Sequence, residues 1–194
     1  MNHPIPTTDH TRTNPCTDTL SDIEYLQHMI PHHQVAIDMS RALQATGLTN
    51  PTMLHMCRTI IRKQDYEIWE MTLMKRNLSD TVFNAEHGRV DNCQTKLELY
   101  DPYINKHKCN PLFFEPDNHQ THMMNVQITE KMYLEHMIPH HLVAVDMSKR
   151  LLLHTNHSYL IDFCRKLILD QQYEVSLMKN LIQNTYHHTS SLLH

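Results

Sequence analysis

The string HMIPHH occurs at residues 28–33 and again at 136–141, and the match extends to either side of it. Residues 25–43 read YLQHMIPHHQVAIDMSRAL and residues 133–151 read YLEHMIPHHLVAVDMSKRL, at a constant offset of 108. Most differences are conservative, such as Ile37 against Val145 and Arg41 against Lys149. The first copy keeps His28, Met29, His32, His33 and Met39, and the second keeps His136, Met137, His140, His141 and Met147. Imidazole nitrogen and thioether sulfur are borderline and soft donors. Methionine beside histidine suits Cu(I), while imidazole alone suits zinc, copper or nickel. An oxygen-rich shell for Mg²⁺ or Ca²⁺ is not visible. The chemistry this spacing offers is binding of a transition metal, with copper ahead of zinc.

Helical spacing sorts these donors. At about 100° per residue, Met29, His32, His33 and Ala36 form one patch, with small Ala36 leaving room beside the imidazoles. Leu26, Ile30, Ile37 and Leu43 share the same inward half, whereas Gln27, Gln34, Asp38 and Arg41 lie opposite. His28 and Met39 fall at one edge of the histidine face, and the second copy repeats the placement. Pro31 and Pro139 interrupt the pattern. The apolar face continues through them, so a kinked but continuous helix is expected rather than a fresh start.

The positioning elements follow from caps and breakers. Ser21 with Glu24 three residues later makes a capping box, and the helix should run to about residue 45, with Gly47 as its stop. Asn50-Pro51 starts a second helix reaching to about residue 77. In the second copy Thr129 caps a helix over 130–153, and another covers 158–185. The second helices also align: Cys57, Gln64, Glu67 and Met71 correspond to Cys164, Gln171, Glu174 and Met178. Gln64 and Gln171 sit mid-stripe, where a buried amide needs a partner and a histidine N–H would serve. Glu67 and Glu174 flank them, placed to orient a histidine from behind. Each copy is an αα-hairpin, and two tandem hairpins with a long crossover give an all-α four-helix bundle. The organisation is a flexible arm (1–20), a first hairpin (21–78), a crossover insert (79–128), a second hairpin (129–185) and a fraying tail (186–194). The insert should pack on the bundle through its aromatics, with a short helix near 93–100.

Composition narrows the classes. The chain of 194 residues has 18 histidines and 13 methionines against only 2 glycines, which favours helices over tight-turned sheets. A net charge of -4 with no basic face gives no reason to expect nucleic acid or an anionic membrane as partner. No stretch approaches the ~18–20 apolar residues of a membrane span, and the N-terminus lacks the charged and apolar regions of a signal peptide. An intracellular protein is the default expectation, and a homo-oligomer is compatible with the sequence. With 5 cysteines, not all pair within the chain. Cys57 and Cys164 read as buried small hydrophobes, while Cys16, Cys93 and Cys109 could form one disulfide or none.

The bland readings stay beside the metal. Met53, Met56, Met74 and Met132 read as core filler, and the histidines of a structural or scaffolding bundle could serve only the core. His119, His122, Met123 and Met124 form a second candidate capture site in the crossover, and His187, His188 and His194 an incidental tail. No nucleophile, triad or acid–base pair lies near the motif, so an enzyme is not expected. Glutamates in the Glu-x-x-His pattern of a di-iron site are missing too.

The M-I-x-H-H-x-x-A-I/V-x-M pattern, followed one hairpin later by Q-x-x-E, resembles the DUF305 family over both hairpins. The resemblance implies a ferritin-like helical bundle and a copper-binding protein, some members being secreted or periplasmic and associated with copper resistance. Carried across, it implies metal-site positions at Met29, His32, His33 and Met39, and at Met137, His140, His141 and Met147. The chain departs from the family in its insert, and its N-terminal residues are not expected to act as a signal peptide.

Overall fold

The computed structural model describes residues 13–82, 109–123 and 127–186, the side chains of 79–82, 120–123 and 186 excepted. Its helices are α1 (Asp22–Ala45), α2 (Pro51–Val82), α3 (Pro116–Met123), α4 (Glu130–Leu151) and α5 (Ser158–Tyr186), with a 3-10 turn at Pro111–Phe114. No strand occurs among the described residues, and no described helix is long and apolar enough to cross a membrane.

The expected caps are in place. The Ser21 hydroxyl accepts from the Glu24 N–H, while the Glu24 carboxylate accepts from the Ser21 N–H at 2.8 Å. Past α1, Gly47 turns the chain at φ 83°, a left-handed conformation that costs glycine nothing. The Asn50 side chain accepts from the N–H groups of Thr52 and Met53 at the start of α2, and Thr129 accepts from Met132 at the start of α4. Helices α1 and α4 run unbroken through Pro31 and Pro139. The prolines lack an N–H, which leaves the carbonyls of Gln27 and Glu135 without their helical donor one turn before the histidines.

Helices α1 and α4 pack antiparallel. Tyr25, near the start of α1, is hydrogen-bonded to Ser148, near the end of α4, at 2.7 Å. Ser40, near the end of α1, meets Tyr133, near the start of α4, at 2.8 Å. Because Ser40 gives its own proton to the Ala36 carbonyl, the Tyr133 hydroxyl is the donor of that pair. Tyr25 corresponds to Tyr133 and Ser40 to Ser148 in the repeat, so exchanging the two copies reproduces the contact. The bundle has a local twofold axis between α1 and α4.

This crossing splits the core in two. One apolar cluster holds Val35, Met39, Cys57, Ile60, Tyr133, Met137 and Met178. The other holds Tyr25, Met29, Met71, Val143, Met147, Cys164 and Leu167. Between them in chain order, on all four long helices, lies a buried polar layer: His32, His33, Gln64, Glu67, His140, His141, Gln171 and Glu174.

Two expectations need correction. The described part of the arm expected to be flexible, residues 13–20, is tied down. Leu20 is buried, Cys16 is disulfide-bonded to Cys109, and Arg150 donates to the carbonyls of Pro15 and Asp18. Arg150 stands where the first copy has Ala42, so this latch exists once. The described end of the crossover also carries more structure than foreseen. Asn110 caps the 3-10 turn, and the turn holds because it buries Phe113. The short helix expected near 93–100 and the tail from 187 lie outside the described residues.

Candidate metal centre

The duplicated motif delivers four fully buried histidines, His32, His33, His140 and His141. Their hydrogen bonds decide what each ring can do. The His140 Nε2–H donates to the His32 carbonyl at 3.0 Å. His33 Nε2 lies 3.0 Å from the Glu67 carboxylate, and His141 Nε2 lies 2.8 Å from that of Glu174. A carbonyl or a carboxylate only accepts, so Nε2 carries the proton in all three rings. Each Nδ1 is then left buried without a hydrogen-bond partner, and in His32 both ring nitrogens are. Buried polar atoms are satisfied as a rule, and here the exceptions are concentrated in one layer.

Electrostatics keep the central pair neutral. His32 and His140 stack face to face with ring centroids 3.6 Å apart and an interplanar angle of 27°. Burial holds both imidazoles well below the usual histidine range, and the neighbouring histidines push in the same direction. Neutral rings offer lone pairs to a metal without first losing a proton. Burial works against the Glu174 charge, but the hydrogen bond and electrostatic attraction of the His141 Nε2–H, with the Lys63 ammonium behind them, outweigh it, and the carboxyl is held below its ordinary range.

Gln64 and Gln171 lie in the same layer, both buried, yet neither takes a histidine N–H. The glutamates one turn on accept those hydrogen bonds instead, because the helix crossing sets their carboxylates against the rings. The amides keep both Oε1 and Nε2 unpartnered.

The structure divides the methionines differently from helical spacing alone. Met39 and Met147, expected at the edge of the histidine face, are buried in the apolar clusters, because α2 and α4 cover both flanks of α1. Met29 shares a cluster with Met147 and Met71, and Met137 shares the other with Met39 and Met178. The motif methionines of the two repeats are therefore interleaved across the twofold rather than kept within each hairpin. Met53 and Met56 are buried filler as expected, whereas Met132 is exposed.

His28 and His136 are half-buried, each one turn out from the stacked pair. The crossover covers this side. Phe113 meets His136 at 4.9 Å and His140 at 5.1 Å, and Phe114 meets His32 at 5.1 Å and His28 at 6.0 Å. Phe113 also meets His32 at 6.3 Å and so touches both repeats, whereas Phe114 contacts the first. Buried His119, from α3, reaches His136 at 5.2 Å, so this member of the second candidate capture site joins the motif. The side chains of His122 and Met123, and all of Met124, lie outside the described residues, as do His187, His188 and His194.

Sequence reasoning missed the two phenylalanines as a cover and the Tyr–Ser pairs as the symmetric clamp. Tyr25, Ser40, Tyr133 and Ser148 all lie in the duplicated block, and that was the available signal. Among the described residues, no group of three or more His, Cys, Asp or Glu stands ready to hold a metal ion. A metal here would need methionine sulfur or a small rearrangement of the rings.

A duplicated, antiparallel all-α bundle with a histidine layer at its centre defines the class. The chain belongs to the DUF305 family, described as a domain of unknown function, whose model matches residues 6–75 and 22–182. Among solved structures it is similar to CopM in the Cu(II)-bound form, with 26% identity, a TM-score of 0.62, and coverage of 87% of this chain and 100% of that one. CopM in the Cu(I)-bound form matches with 27% identity and a TM-score of 0.59, covering 86% and 99%. CopM in an Ag-bound form matches with 27% identity and a TM-score of 0.60, covering 86% and 98%. No curated protein sequence matches the chain.

Proposed function

We propose that this protein binds copper, with Cu(I) the preferred state, and holds or passes on the ion rather than catalysing a reaction. The observation that carries the reading is the set of unpartnered Nδ1 atoms on His33, His140 and His141, each opposite an Nε2–H anchored by a carboxylate or carbonyl. That is the arrangement in which metal-ligating histidines are held, the outer partner fixing the tautomer and the free nitrogen facing the ion. A bundle whose histidines served only the core would satisfy them. Thioether sulfurs from Met29, Met137, Met39 and Met147 in the flanking clusters add soft donors that favour Cu(I) over zinc. The bound forms of CopM support the same metal.

Anaerobic Cu(I) titration against a competing chromophoric chelator tests the reading. Copper retained by the wild-type chain, and lost when His33 and His141 are both changed to alanine, is the expected result. A chain that yields all its copper to the chelator, or binds equally well with His32, His33, His140 and His141 all replaced, would rule it out.

A further inference from the structure

One cavity of about 470 Å³ lies outside the histidine layer and is lined by Cys16, Cys109, His28, Thr13, Phe114 and Glu115, among others. Cys16 comes from the arm and Cys109 from just before the 3-10 turn. Their Cα atoms are 6.1 Å apart across a sequence separation of 93 residues, and they are joined as a disulfide. Both are half-buried, so a small thiol has access to the bond. The Thr13 hydroxyl lies 3.0 Å from His28 Nε2 and ties the arm to that imidazole. His28 in turn is one helical turn from His32, so the cavity opens beside the outer end of the imidazole row. Cys57 and Cys164 differ in every respect: they are fully buried and unpaired, and burial pushes their thiols up to about 11.

We propose that Cys16, Cys109 and His28 form a redox-dependent Cu(I) site at the mouth of the histidine row, closed while the disulfide stands and assembled when it is reduced. Two external thiols supply the electrons. They leave as one disulfide, the bond between Cys16 and Cys109 breaks, and each released sulfur takes a proton. Cu(I) then displaces both protons and keeps its oxidation state. Two thiolates and one imidazole are a softer set than histidine with methionine, and so select Cu(I) strongly. Because the disulfide holds the two sulfurs side by side, reduction leaves them within reach of one ion. The site is single. His136, the counterpart of His28, faces His119 and no cysteine pair.

The test is the same Cu(I) titration on the full chain, in a Cys93→Ser background, with the disulfide intact and after phosphine reduction and desalting. Cys57 and Cys164 are thiols in both forms, so the difference isolates Cys16 and Cys109. The reduced form should take one additional equivalent, with a new thiolate-to-copper absorption band. That equivalent should vanish in Cys16→Ser/Cys109→Ser and weaken by at least the ~10–100-fold that losing even an outer contact costs in His28→Ala. Equal uptake by the two forms overturns the proposal, and so does an additional equivalent that survives the double serine change. Should the double variant not fold, the oxidised–reduced difference and His28→Ala still decide. The metal is taken from the reading above but the core ligands are not. Alanine at His33 and His141 should leave the thiol-dependent equivalent in place, so either reading can fail alone.

Discussion

At the residue scale, the informative pairs are His33 with Glu67 and His141 with Glu174. Each glutamate fixes a tautomer and aims a nitrogen. Changing both to glutamine keeps volume and removes the charge that makes the imidazole a better donor. Copper affinity should fall by about 10–100-fold with the helix content of the chain unchanged, as read by competition titration and circular dichroism. The stacked pair His32 and His140 gives a second expectation. Their folded-state proton affinities are depressed by burial from an ordinary value of 6.5. Below that pH the unfolded chain binds more protons than the folded one, so stability falls as pH falls, starting near 6.5 and continuing until the folded rings titrate. Thermal melts from pH 7.5 to 5 should show a declining midpoint, and His32→Phe should flatten the decline. A melting temperature that rises on acidification would contradict the burial of neutral rings.

At the element scale, the 3-10 turn at Pro111–Phe114 controls one side of the histidine layer. Phe113 is buried against His32, His136 and His140. Phe113→Ala should cost about 3–5 kcal/mol of stability, as large core aromatics do, and should speed copper uptake by uncovering the row. Stopped-flow mixing with a Cu(I) chelate reads the rate, and a destabilised variant with unchanged uptake would show that the turn covers nothing the metal must pass. This element also marks the limit of what the sequence made legible. Helices α1, α2, α4 and α5 were readable because Ser21, Gly47, Asn50 and Thr129 act locally, through backbone groups a few residues away. The direction of Met29, His32 and His33 was readable from helical period alone. The turn was not, since Phe113 is held by histidines from both repeats, and no local pattern encodes that. The failure over Gln64 has the same origin. Spacing placed Gln64 and Glu67 equally near the histidines, and only the crossing of the helices gave the proton to Glu67. Met39 was likewise misplaced at an edge because the burial of that edge comes from α4.

At the scale of the whole molecule, the two hairpins are not independent half-sites but halves of one interface. The Tyr25–Ser148 and Ser40–Tyr133 bonds, the His32–His140 stack and both apolar clusters each draw on both repeats. An isolated hairpin would expose its half of the histidine layer and of both cores, which is too much apolar surface for a stable monomer. The repeat itself supplies a remedy. The first hairpin carries both Tyr25 and Ser40, so two copies related by a true twofold axis can remake both Tyr–Ser bonds and stack His32 on its own mate, as an isologous contact requires. Residues 13–82 expressed alone should therefore sediment as a dimer, and Tyr25→Phe, Ser40→Ala should weaken the association. Copper that binds the histidine layer should bind the dimer and not its dissociated chains, raising its melting temperature by mass action. A folded monomer at micromolar concentration would show that each hairpin carries its own core, and that the twofold packing between α1 and α4 follows folding rather than making it possible.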